Sequence, residues 1–172
     1  MKSDLLKTKR IALNGILGAF AVICLVLATV LPTNRISLYA LSSFFVAVSI
    51  IESGVKSGWI FYTATSMLAL ILVPNKFGVI PYVIFFGIYG IVKYYVEKLN
   101  KIAPEYVIKF IFFNISAGIA ALTVRQLFSV NLTIVLPWWV LVIALEIVFF
   151  LYDFVYTLFI KYYREKLRKW VK

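Results

Sequence analysis

Trp138 to Tyr163 reads WWVLVIALEIVFFLYDFVYTLFIKYY, and the interpretation of this stretch decides the fold. At about 1.5 Å of helical rise per residue, it exceeds the roughly 30 Å hydrocarbon core of a bilayer. A tryptophan pair opens it and a tyrosine pair closes it, as aromatic belts do at the two headgroup layers. The basic residues beyond, from Arg164 onward, belong on the cytoplasmic side. Two carboxyls, Glu146 and Asp153, stand seven residues apart inside the run. That spacing is about two helical turns, so both project from one face, roughly 10 Å apart along the axis. Charge at membrane depth is costly, so this face must turn inward, onto other helices or a wet cavity. The stretch therefore predicts one member of an all-α transmembrane bundle.

The whole chain agrees. Of its 172 residues, 63% are hydrophobic and only 15% are charged, against about half apolar for a soluble domain. An integral membrane protein with a single domain over residues 1–172 is the reading that fits. The net charge of +11 does not point to nucleic acid, because the basic residues gather at the ends of apolar runs. Membrane orientation and anionic lipid explain that placement. With no histidine anywhere, His-based triads and His-ligated metal centres within the chain are excluded. The lone Cys24 has no second cysteine in the chain to pair with.

Taken in order, the apolar runs predict six spans, at 11–31, 36–55, 59–73, 79–96, 106–127 and 138–160. The basic stretch Met1–Arg10 resembles a signal-peptide n-region, but the apolar run after it is too long, so it reads as a leader into the first span. Turns are expected at Pro32–Arg35, Ser53–Gly58 and Pro74–Gly78, and an outer loop at Phe128–Pro137. The third span has only 15 residues, below the usual minimum of about 17. Tyr94 to Glu105 is expected as an amphipathic connection, broken by Pro104 and lying on the inner leaflet through Lys93, Glu97, Lys98 and Lys101. With six spans and the N-terminus inside, only Arg35, Lys76 and Arg125 fall outside, leaving 15 of the 18 basic residues within. Losing one middle span would put one basic terminus outside, so the positive-inside rule favours six spans with both termini cytoplasmic.

Candidate functional residues follow from cost. Glu146 lies about 12 Å inside the outer boundary by helical rise, and Asp153 lies deeper. Membrane carboxyls bind a substrate or cation, relay protons, or pair structurally, here with Arg125 or Lys109. Glu146 is the better candidate for a site open to the outside, and Asp153 for a structural pair. Asn114, in the fifth span, is hard to hide in lipid and is expected to line the same cavity. Thr63, Thr65, Ser66 and Ser116 are expected to bond their own helix backbone. On the first span, Gly15 and Ala19 form a small-x-x-x-small pair, which admits a second helix either from a partner or from this chain. Asn131-Leu132-Thr133 matches a glycosylation sequon, a weak pattern. No nucleotide-binding motif and no nucleophile–base pair occur, so the chain reads as neither an ATPase nor an enzyme, and no cofactor is implied.

Six short-looped helices, this length, a basic N-terminus and a small-residue first helix together resemble the substrate-binding S component of an energy-coupling factor (ECF) transporter. That resemblance implies a vitamin or other micronutrient binder in a bacterial cytoplasmic membrane. Its partners would be a coupling transmembrane subunit and a pair of ATPases. The family docks through an Ala-x-x-x-Ala-like pattern on its first helix. Here Gly15 to Ala19 is the nearest match, while Ala12 is followed at the fourth position by Ile16. The family's pocket lies toward the outer side, a region that in this chain contains Tyr82, Asn114, Trp138, Trp139 and Glu146. So aromatic a pocket would suit a planar ring. Two other classes stay open: a small permease coupled to ions or protons through Glu146 and Asp153, and a non-transporting membrane scaffold.

Overall fold

A proline or a glycine sets most boundaries between the helices. The residue before a proline is pushed out of the helical region. Leu31, before Pro32, accordingly sits at φ −99°, ψ 98°, and Val73, before Pro74, at φ −78°, ψ 123°. Pro137 is itself extended and opens the last helix. The computed structural model describes residues 2–128 and 137–167. Among them the elements are α1 (Lys2–Val30), α2 (Arg35–Ser53), α3 (Val55–Leu72), α4 (Gly87–Glu97), α5 (Ile102–Phe128) and α6 (Trp138–Tyr162). A π-helical segment, Tyr82–Phe86, follows Pro81 and leads into α4, and another, Tyr163–Leu167, extends α6. No strand occurs among the described residues. Among the described residues six helical stretches are long and apolar enough to cross a membrane, the fourth being Lys76–Glu97, which takes in the π-helical segment and α4.

Several boundaries differ from those the sequence predicts. The expected leader is continuous with the first span, since helix begins at Lys2. The short third span is longer than it looked, because α3 begins at Val55. The expected turn at Ser53–Gly58 shrinks to Gly54, whose φ of +89° lies where L side chains are strained. Gly58 is helical, and it is needed for another reason: a Cβ there would lie 2.4 Å from Ile50 Cγ1. The predicted amphipathic connection at 94–105 is not a surface helix. Instead α4 runs to Glu97, a tight turn passes through Asn100 at φ 51°, and α5 starts at Ile102. Asn is among the residues that tolerate that left-handed conformation. Pro104 does not break the chain there; it falls in the first turn of α5, where its missing N–H costs nothing. The outer loop, with Asn131 in it, lies outside the described residues.

The chain forms two compact units, Met1–Phe110 and Ile111–Lys172. In the first, α1 packs on α2 and α3, and α2 packs on α4. One apolar cluster joins Leu25, Ala28, Tyr39, Ala69, Val73, Val79 and Tyr82. A second joins Ala21, Val46, Ile50, Phe61 and Ile91. Small residues let helix backbones approach closely. Ser42, Ser43, Ala47 and Ser49 accordingly fill the buried face of α2. Ser42 donates to Tyr39 O at 2.7 Å and Thr65 to Phe61 O at 2.8 Å, each within its own helix, whereas the buried Ser66 hydroxyl, expected to do the same, has no backbone partner among the described residues. Asn14 Nδ2 donates to Ser53 Oγ at 3.1 Å and Ser57 Oγ at 3.0 Å, tying α1 to both sides of the Gly54 turn. In the second unit, Phe113 and Phe149 stack with ring centroids 4.6 Å apart. Large apolar side chains such as Ile11, Ile60, Ile71, Leu122 and Phe154 stay exposed. An exterior of that kind is consistent with a multi-pass membrane protein.

Candidate functional site

The second unit contains two carboxyls within an apolar helix. On α6, Glu146, Phe149, Asp153, Tyr156 and Tyr163 are among the less exposed residues, recurring every three to seven positions between the exposed Ile147, Val148, Leu151, Phe154 and Val155. Glu146 and Asp153 thus share one helix face, as their spacing requires. Across from it on α5, Asn114 Nδ2 donates to Glu146 Oε1 at 2.6 Å. The second carboxylate oxygen, Oε2, is enclosed and has no hydrogen-bond partner among the described residues. Asn114 is exposed and Glu146 half-buried. The site is therefore a carboxyl held by one neutral donor, open on the Asn114 side, with acceptor capacity left over.

Trp139, two turns before Glu146 on α6, is 54% exposed. Trp138 opens the same helix; its side chain lies outside the described ones. Tyr82 belongs to the first unit. It is fully buried, and its hydroxyl is 2.8 Å from Thr65 Oγ1. Beside it, Tyr62 donates to Val83 O at 2.8 Å, supplying a carbonyl within the π-helical segment. Asp153 is buried, and its backbone carbonyl accepts from Thr157 at 2.8 Å. Among the described residues no group of three or more His, Cys, Asp or Glu side chains is placed to hold a metal.

Within the first unit, the small-residue pair on α1 faces away from the packing. Gly15 and Ala19 are both exposed, and a Cβ on Gly15 would meet nothing within 4 Å. The neighbouring Gly18 is the one that meets α3, with Phe61 Cε2 at 3.7 Å and Thr65 Cγ2 at 3.8 Å from its would-be Cβ.

Lys93 and Glu97, expected on a lipid-surface helix with Lys98 and Lys101, instead join a charged cluster with Glu105 and Lys109 in the first unit. Lys93 and Lys109 are only 1% and 2% exposed. Lys93 Nζ lies 2.8 Å from Glu97 Oε1. Lys109 Nζ lies 3.4 Å from the same oxygen and 2.6 Å from Glu105 Oε1. Glu97 thus bridges α4 to the first turns of α5, and the Tyr106 ring lies 5.9 Å from Lys109 Nζ. The i, i+4 spacing of Lys93 to Glu97 and of Glu105 to Lys109 was readable from sequence. Their burial was not, since the same spacing also describes a solvated face. Asn14 was legible by the argument that singled out Asn114, an amide inside an apolar run.

Comparison of the chain with protein-family models, with curated proteins and with solved structures gives no match.

Proposed function

We propose that the chain is a membrane-embedded substrate-binding subunit for uptake of a vitamin or another small micronutrient, of the ECF S-component type. It crosses the membrane six times with both termini in the cytoplasm. A separate coupling subunit and ATPases supply the energy. The observation that carries this reading is the Asn114–Glu146 pair, with an enclosed carboxylate oxygen left without a donor. A buried acceptor without a donor is costly, and a ligand N–H would relieve that cost. Trp139 stands on the same side of α6, exposed and two turns nearer the outer end, to meet an arriving ring. The Gly15–Ala19 face of α1 supports docking of a coupling subunit, because the packing within the first unit leaves room at Gly15.

Affinity purification of the tagged chain from its native membranes tests the assignment. A second multi-pass protein and ATPase subunits are expected to co-purify in fixed proportion. A chain that purifies alone and transports by itself in liposomes under an ion gradient would favour the permease instead.

A further inference from the structure

We infer that the ligand taken at Asn114 and Glu146 is a small organic cation bearing N–H donors, such as an amidinium, guanidinium or protonated amine. This rests on the reading of that pair as the substrate site. Asn114 Nδ2 already supplies Oε1 with a neutral donor at 2.6 Å. Among the described residues, Oε2 has no donor. An anionic ligand would meet repulsion, and a neutral acceptor would find no free donor on Glu146. Oε2 is enclosed, and the terminal torsion of a glutamate is soft and roughly two-fold, so the ligand is met by a turn of the carboxylate. A charged N–H donor there forms a charge-assisted bond, stronger than a neutral one. Trp139, also on α6 and exposed, gives a ring on which the cation or its aromatic body settles as it enters.

The test uses three near-isosteres that differ in charge and in N–H donors: benzamidine, a cation; benzamide, neutral; and benzoate, an anion. Each is titrated into the full chain in maltoside micelles, and binding is read by saturation-transfer NMR. Benzamidine is expected to bind at least about tenfold more tightly than benzamide, with that preference lost in Glu146→Gln. Asn114→Ser, which leaves the carboxylate in place, is expected to keep the preference at lower affinity and guards against a misfolded Glu146→Gln. Benzoate bound in preference, and lost in Asn114→Ser, would overturn the cation class while leaving the site standing. Equal binding of all three to wild type and Glu146→Gln, or binding of none, would remove both the class and the site. Competition of benzamidine by phosphatidylethanolamine at one-to-one stoichiometry would show a lipid amine to be the occupant and overturn the assignment to a small solute.

Discussion

Asn114 on α5 and Glu146 on α6 are joined by a 2.6 Å hydrogen bond across 32 residues of sequence. The bond makes the two residues one energetic unit. Asn114→Ala leaves Glu146 without its donor, and a buried acceptor left short costs about 1–3 kcal/mol. Glu146→Gln retains a carbonyl that still accepts and is expected to cost less. The double variant is expected to be less destabilised than the sum of the singles by about 0.5–1.5 kcal/mol, the range for polar pairs within membranes. Thermal unfolding in detergent measures all three. Strict additivity would show that the bond does not form.

Glu97 touches both Lys93 and Lys109, which are almost fully buried. Replacing it removes the carboxylate that the two ammonium groups share, while Lys109 keeps Glu105 at 2.6 Å. Because Glu97 itself is 38% exposed, water compensates in part, and Glu97→Gln is expected to cost on the order of 1–3 kcal/mol. Glu165, on the exposed end of the chain, serves as control, with Glu165→Gln within about 0.5 kcal/mol of wild type. Equal melting temperatures for the two variants would contradict a bridging role for Glu97.

The two kinds of small residue predict opposite phenotypes. Gly58→Ala drives a Cβ to within 2.4 Å of Ile50 and is expected to destabilise the fold by roughly 1–3 kcal/mol, as overpacking does. Gly15→Leu enters open space, so the chain is expected to fold and bind ligand normally but to lose its coupling subunit. Size-exclusion profiles and co-purification separate the outcomes. A misfolded Gly15→Leu would mean that α1 uses this face within its own chain.

How much of this was legible in the sequence differs from one feature to the next. The six apolar helices were, because hydrophobic length is a property of the chain alone. The shared face of Glu146 and Asp153 was too, because helical period fixes it. The start of α3 was missed because two glycines at 54 and 58 look alike in sequence. One is there for its φ and the other for a close approach to Ile50. Pro104 was read as a breaker because its position within the first turn of α5 depends on where that helix begins. The burial of Lys93 and Lys109 was illegible for a deeper reason. An i, i+4 ion pair has the same sequence whether it faces solvent or neighbouring helices, and only tertiary packing decides.

Topology is testable from outside the cell. In a background where the single Cys24 is replaced, cysteines placed at Asn34, Asn75 and Asn131 are expected to react with an impermeant maleimide in intact cells. Lys172→Cys is expected to react only after lysis. Labelling of Lys172→Cys in intact cells would contradict six crossings with both termini inside.

The most direct test of a substrate-binding role is mass spectrometry of what the protein retains. The chain is purified gently from its native membranes, denatured, and the released small molecules are compared among wild type, Glu146→Gln and Asn114→Ala. The prediction is one molecule retained near one-to-one by wild type and depleted at least about tenfold in both variants. Equal retention in all three, or no small molecule retained by wild type, would contradict a binding site at Asn114 and Glu146.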